Sequence, residues 1–267
     1  MRSGIVTLTT DFGGDGLYVP QMKGFLLGLA PGIQIVDVSH SVPPQDVAYG
    51  SFVLAQVFEA FPSGTVHLAV VDPGVGTDRP LIVVEARDHW FVLPDNGLIA
   101  GVLDGGFEPS GTWEIRNSRL RRSEVSSTFH GRDLLAPVAA HLLRGGNPDE
   151  VGPRIAAPFR PDRIEPRMVD GEWLGEVVFV DSFGNLISNI KRAHLGGDPG
   201  AWSVEILGQT IPTLARTYGD QPPGSLVALV GSSNRVEVAV VNGDASKRLE
   251  AARGTILRLR RRENSKD

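Results

Sequence analysis

Four short segments carry residue types suited to chemistry. The first is Thr9-Thr10-Asp11-Phe12-Gly13-Gly14-Asp15, after an apolar run. A carboxylate at a strand end can accept two hydrogen bonds from a ribose diol, and the glycines let backbone approach a ligand. Asp11 could equally cap a helix beginning near Tyr18 or stabilise a turn. The second is Val70-Val71-Asp72-Pro73-Gly74-Val75-Gly76-Thr77-Asp78-Arg79. Asp-Pro-Gly is ordinary turn chemistry, yet a carboxylate and a guanidinium at this spacing across a glycine-rich turn can fold back and hold a water between them. The third, Ser127-Thr128-Phe129-His130-Gly131-Arg132-Asp133, sets a histidine at the start of an expected helix. Histidine exchanges protons near neutral pH; helix capping or packing is the alternative, and His40 shares both readings. The fourth, Val180-Asp181-Ser182-Phe183-Gly184-Asn185-Leu186-Ile187-Ser188-Asn189, offers an aromatic face for a purine with two amides and a carboxylate. It also reads as a β-turn with Phe183 plugging the core.

The elements that must position these segments follow from the apolar pattern. Ile5 to Thr9, Ile33 to Val38 and Val66 to Val71 are β-branched runs ending in turn or polar residues, as buried parallel strands do. Between them, Tyr18 to Leu29 and Asp46 to Phe61 read as crossover helices. The second has Asp46 as N-cap, Pro62 as stop, and a stripe of Val47, Phe52, Val53, Val57, Phe58 and Phe61. Leu81 to Glu85 and Trp90 to Leu93 flank Arg87-Asp88 as an antiparallel hairpin, and a helix is expected from about Gly131 to Leu143. The fold class is therefore an α/β domain over 1–145 with a mixed, mainly parallel sheet. A proline-rich linker over 146–170 follows, then a smaller, antiparallel, barrel-like β domain over 171–260 and a charged tail over 261–267.

With 267 residues, 41% of them hydrophobic and 21% charged, the chain can bury a sizeable core, so disorder is excluded. A net charge of −5 lacks the basic footprint that nucleic acid demands. The absence of cysteine excludes disulfides, thiolate metal sites and cysteine nucleophiles. No segment approaches a membrane span or a signal-peptide core, so a soluble, cytoplasmic protein is expected. Phosphate-loop, dinucleotide, HExxH and GxSxG motifs are absent.

Taken in order, Thr10-Asp11-Phe12-Gly13, Ser39-His40-Ser41-Val42-Pro43-Pro44-Gln45-Asp46, Val71-Asp72-Pro73-Gly74-Val75-Gly76-Thr77, Pro94-Asp95-Asn96-Gly97, Phe129-His130-Gly131-Arg132-Asp133, Asp181-Ser182-Phe183-Gly184-Asn185 and Gly231-Ser232-Ser233 closely resemble the S-adenosyl-L-methionine hydroxide adenosyltransferases. These adenosine-forming hydrolases are related to the fluorinases and chlorinases. The resemblance covers nearly the whole chain. It implies attack of water or hydroxide on C5′ of S-adenosyl-L-methionine, releasing adenosine and L-methionine, with no metal and no cofactor beyond that substrate. It puts the catalytic Asp, Arg and His on Asp72, Arg79 and His130, and the ribose ligand on Asp11. Substrate contacts fall on Gln45, Asp181, Phe183, Asn185, Ser232, Ser233, Glu237 and Val240. It also implies a homotrimer with sites shared between the N-terminal domain of one subunit and the C-terminal domain of the next.

Halogenating members carry an aromatic residue and a threonine where this chain has Asp72 and Val75, and an insertion after the hairpin that is missing here. A carboxylate at contact distance repels a halide in a dry site, so the resemblance favours hydrolysis. One departure is Gly16, with Asp15 one position earlier, where the family has an acidic residue two before the tyrosine matching Tyr18. The usual contact to the methionine amine is thereby shifted or lost. A non-catalytic binding module, a halogenase and a methyltransferase are the competing expectations.

Overall fold

In the computed structural model, which describes residues 3–162 and 164–262, the chain forms two units, residues 1–161 and 162–267. The first contains β1 (Ile5–Thr10), α1 (Tyr18–Leu29), β2 (Gln34–Ser39), α2 (Val47–Val57), β3 (Val66–Val70), β4 (Leu81–Ala86), β5 (His89–Pro94), β6 (Gly111–Glu114) and α3 (Ala136–Leu143). The strand order is β2-β1-β3-β5-β4-β6. Strand β1 pairs in parallel with β2 and β3, and β3 with β5, while β4 runs antiparallel to β5 and β6. The expected mixed, mainly parallel sheet is present. Arg87 and Asp88, with φ of 51° and 63°, supply the left-handed pair that a two-residue hairpin requires.

Side chains alternate between the faces of each strand. On one face Val66, Leu68 and Val70 pack with Met22 and Leu26 of α1 and with Val138, Ala139 and Leu142 of α3. On the other, Ala69 and Val71 pack with Leu54 and Phe58. Asp46 caps α2, its Oδ1 accepting from the Tyr49 amide at 2.9 Å, a contact worth about 1 kcal/mol. The expected helix is shorter: α2 ends at Val57, and Phe58–Ala60 tighten into a 3-10 turn. Its buried stripe also differs, running through Gly50, Ser51, Leu54 and Phe58. The reason is close approach. A Cβ on Gly101 would lie 2.6 Å from the Ser51 carbonyl, and one on Gly50 would lie 2.9 Å from Leu98, so small residues seat the helix where larger apolar ones would not fit.

Strand β1 lies between β2 and β3, so the chain leaves it to one side and returns on the other. At such a reversal open α/β sheets bind ligands beyond their carboxyl ends. Thr10 pairs with Val70, which makes the segments carrying Asp11 and Asp72 neighbours. The expected helix from Gly131 opens with a wider π turn over Gly131–Leu135 before α3. Such turns recur beside functional sites. Of the proline-rich stretch, Pro148–Glu150 forms a 3-10 turn, Ile155 donates to the Thr112 carbonyl, and the Phe159 amide donates to Asp95 at 2.7 Å.

The second unit contains β7 (Arg167–Val169), β8 (Glu172–Val180), β9 (Leu186–Lys191), α4 (Arg192–Leu195), β10 (Trp202–Ile206), β11 (Gln209–Ile211), β12 (Leu214–Ala215), β13 (Leu226–Val230), β14 (Arg235–Val240), α5 (Ala245–Leu249) and β15 (Ile256–Arg261). Its path is β11-β10-β15-β8-β9-β14-β13-β12. Every pair on the path is antiparallel except β12 with β13. The nearly closed, barrel-like sheet wraps Val177, Leu186, Trp202, Val204, Val238 and Leu257. Residues 263–267 of the expected tail lie outside the described residues.

Candidate active site

Just past β3, the chain turns through Pro73-Gly74 and returns Arg79 to Asp72. The guanidinium grips the carboxylate with both arms: Nε donates to Oδ1 at 2.7 Å, and Nη2 donates to Oδ2. The expected intervening water gives way to a direct bidentate pair. The planar fork matches a carboxylate edge to edge, which favours contact over bridging. The side chains are 4% and 12% exposed, so solvent screens the pair little.

Nη2 also donates to His130 Nδ1 at 3.1 Å. Nδ1 is therefore an acceptor, and the ring proton sits on Nε2. Burial pushes the imidazole below the usual histidine range, and the Arg79 charge adds to this against the pull of Asp72 and Asp133. Three residues, the outer two 58 apart in sequence, thus form one hydrogen-bonded chain. Two glycines make room for it. A Cβ on Gly74 would lie 2.9 Å from Arg79 Cδ, and one on Gly76, whose φ is 82°, would lie 2.7 Å from the Ser127 carbonyl.

The turn carrying His130 is anchored by Asp133, which is fully buried. Its Oδ1 accepts from Arg122 at 2.9 Å and Arg132 at 2.7 Å, and its Oδ2 from the Ser126 amide at 2.8 Å. Burial raises this carboxyl, but the bonds from Arg132, Ser126 and Arg122 outweigh it and hold the group at about 2. Arg132 reaches on to Gln21 of α1 at 2.6 Å. The sequence pattern marked Asp133 only as part of a motif.

Asp11 does not cap α1, whose N-cap Leu17 makes no side-chain bond. Instead its Oδ2 accepts from the Gln45 amide at 2.8 Å. Gln45 holds a left-handed φ of 66°, a conformation costing about 1–3 kcal/mol that persists where surroundings impose it. Beside Asp11, the rings of Phe12, Tyr18 and Phe129 meet with centroids 5.1–5.9 Å apart.

In the second unit, Asp181 organises the turn between β8 and β9. Its Oδ1 accepts from the amides of Phe183 and Asn185, each at 2.9 Å, and its Oδ2 from Asn185 Nδ2 at 2.9 Å. Phe183 is no core plug: its side chain is 73% exposed, because the turn spends its backbone on Asp181 and directs the ring outward. Glu237 is buried and accepts from the Tyr218 hydroxyl. Burial, with repulsion from Asp181, raises its carboxyl above the ordinary range despite the Tyr218 bond. Tyr218 is a partner the sequence pattern missed, 19 residues away with no spacing signal. Ser232 is exposed, whereas Ser233 Oγ is buried without a hydrogen-bond partner among the described residues. Val240 sits in the barrel interior with Val236 and Val238, on the face of β14 opposite Glu237. The structure does not bring those two side chains together.

Residues 6–152 match the model of the SAM hydroxide adenosyltransferase N-terminal domain and residues 175–258 that of its C-terminal domain. The chain belongs to the SAM hydroxide adenosyltransferase family. Within and around this family, the (R)-S-adenosyl-L-methionine hydrolase of Thermus thermophilus is 38% identical over 95% of this chain and 98% of its own length. A fluorinase from an Actinoplanes species is 30% identical over 72% of this chain and 73% of its own. Among solved structures, an uncharacterized conserved protein from Thermotoga maritima superposes with a TM-score of 0.88 at 34% identity, over 96% of this chain and 100% of that one. Among the described residues of this SAM hydroxide adenosyltransferase family member, no helix is long and apolar enough to cross a membrane.

Proposed function

We propose that the chain hydrolyses S-adenosyl-L-methionine by attack of water on C5′, giving adenosine and L-methionine, and that it consumes the R-sulfonium epimer. The linked chain Asp72–Arg79–His130, beyond the strand next to the one that carries Asp11, supports the chemistry. The name of the Thermus relative supports the epimer. The sulfonium sulfur is a stereocentre, and its epimers exchange the places of the methyl and aminobutyrate groups about one C5′–S bond. A hydrolase of the R form removes the epimer while sparing the S form.

In the step, the water oxygen bonds to C5′ as the C5′–S electron pair leaves with sulfur, and the water sheds one proton. Arg79 occupies one edge of Asp72, leaving the carboxylate's other lone pairs to orient the water and take that proton. The transfer is favourable, because the water proton becomes strongly acidic once oxygen bonds carbon. His130 holds the guanidinium from the other side. Orientation of this kind can supply several kcal/mol of the barrier, and a dry setting favours the meeting of a nucleophile with a sulfonium cation. Asp11 holds the ribose diol. The exposed Phe183 ring, Asn185 and the turn bearing Ser232 of a neighbouring subunit would complete the nucleoside and methionine pocket.

The same reading makes the active species a homotrimer in the cytoplasm. Leu17 and Tyr18 beside the first set of residues, and Phe183 in the second, are exposed apolar side chains that a neighbouring subunit would cover. Incubating chelator-treated protein with each epimer in oxygen-18 water tests the activity by chromatography with mass detection. Labelled adenosine formed faster from the R epimer is expected. Binding without turnover would turn the reading to a binding module, and S-adenosylhomocysteine to a methyltransferase. Native mass spectrometry reads the trimer.

A further inference from the structure

His40 has no part in the chemistry above, yet its surroundings are built. Its Nδ1 meets Thr10 Oγ1 at 2.9 Å, and its Nε2 lies 3.0 Å from Asp37 Oδ1. Asp37 Oδ2 in turn accepts from Lys23 of α1 at 2.5 Å. Thr10 Oγ1 also accepts from the Phe12 amide at 3.3 Å. Thr10 Oγ1 thus bridges the Phe12 amide and His40 Nδ1, while the buried His40 Nε2 lies close to the Asp37 carboxylate without a hydrogen bond to it. A β-bulge makes the meeting possible: Leu8 pairs with Asp37 but Thr9 with Ser39, leaving Val38 unpaired. Such bulges re-aim the residues that follow them.

An aspartate, a histidine and a hydroxyl in series suggest an activated nucleophile. Burial forbids that here, since Thr10 is 0% exposed and no substrate atom can reach its oxygen. What the series does touch is the Asp11 segment. Thr10 precedes Asp11, the His40 carbonyl accepts from the Gly13 amide at 2.8 Å, and five residues beyond His40 the Gln45 amide holds the Asp11 carboxylate. The loop after β2 thus clamps the end of β1 and the loop after it at three points, two of them through His40.

We propose that Asp37, His40 and Thr10 are positioning residues for the hydrolysis: a buried relay, hydrogen-bonded between Thr10 and His40 and in close contact between His40 and Asp37, that fixes the Asp11 carboxylate where it receives the ribose diol, without touching substrate. The proposal rests on the reading of Asp11 as ribose ligand. It is tested on the full-length protein by steady-state kinetics with S-adenosyl-L-methionine, comparing Thr10→Val, Thr10→Ser and Asp11→Ala. Removing one buried hydrogen bond should raise KM about tenfold in Thr10→Val, with kcat changed less than about threefold. Thr10→Ser, which keeps the hydroxyl, should return KM to within about twofold of wild type. A Thr10→Val protein that melts earlier but keeps the wild-type KM, while Asp11→Ala raises it, overturns the relay. An unchanged KM in Asp11→Ala overturns instead the ribose reading. If Thr10→Val does not fold by circular dichroism, Asp37→Asn carries the test. A KM raised about threefold supports the relay, and an unchanged KM overturns it.

Discussion

Asp72 meets Arg79 through both carboxylate oxygens, so charge and shape can be separated by substitution. Asp72→Asn keeps the volume but loses the charge and one acceptor edge. Its kcat should fall about 10²- to 10³-fold, with adenosine binding measured by calorimetry little changed. Arg79→Lys should fall nearly as far, because an ammonium cannot grip Asp72 and reach His130 at once. His130 adds a pH signature. Protonation would replace the Nδ1 lone pair that receives Arg79 with a second cationic donor, so activity is lost as pH falls through the folded pKa. Since burial and Arg79 set that pKa below the ordinary histidine range, the kcat profile should stay flat down through pH ~6.5. A decline centred at or above that value would contradict the assigned tautomer. Strand-end turns made Asp11 and Asp72 legible as candidates, because Asp followed by Pro-Gly or Phe-Gly is a local signal. Arg79 was legible with them, as the guanidinium that folds back on Asp72 across a glycine-rich turn, but the long-range partners were not. Arg79 and His130 stand 51 residues apart, and Tyr218 reaches Glu237 across the pairing of β12, β13 and β14. Long-range partners of this kind leave no spacing to read.

Elements bring these residues together through glycine as much as through apolar packing. Gly76 combines a φ of 82° with a Cβ position 2.7 Å from the Ser127 carbonyl, and that contact joins the Arg79 turn to the His130 turn. Gly76→Ala should therefore displace one turn from the other, lower kcat by tenfold or more as catalytic groups part by tenths of an ångström, and cost about 1–3 kcal/mol in urea unfolding. A stable, fully active Gly76→Ala would show that the turns approach by another route. The same physics explains where the fold could be read. β1, β3 and the β4–β5 hairpin carry β-branched runs and a turn pair whose pattern is local. The stripe of α2 misleads, since Phe52 and Val53 look like the buried face while Gly50 and Ser51 occupy it, a choice set by the approach of Gly101. β6, β7, β11 and β12 span four residues or fewer, too few for alternation to register.

At the scale of the whole molecule, a buried histidine pair shapes the response to acid. His67 of β3 and His89 of β5 face each other, Nε2 to Nδ1 at 3.1 Å, with Thr7 Oγ1 on the other His67 nitrogen at 2.8 Å. Phe58, Phe61 and Phe91 surround His67. Burial, with repulsion from His89, drives His67 down to about 3. Burial also lowers His89, against the pull of Asp88 and Glu59. In the unfolded chain both titrate near ~6.5. Above that pH neither state takes up a proton, and the pair leaves stability untouched. Below it the unfolded chain binds protons that the folded core refuses, so stability falls as pH drops from ~6.5 toward 3, by up to about 1.4 kcal/mol per pH unit for His67, and His89 acts in the same direction. Asp133 acts in the same direction lower down: its stabilisation is complete above the ordinary carboxylate range and is lost as pH falls through its folded value of about 2. Urea midpoints at pH 7, 6 and 5 should decline for the wild type. In His67→Gln the midpoint at pH 7 should be lower but the decline shallower, because one group that distinguishes the two states has gone. Parallel declines in the two proteins would place the acid sensitivity elsewhere in the chain.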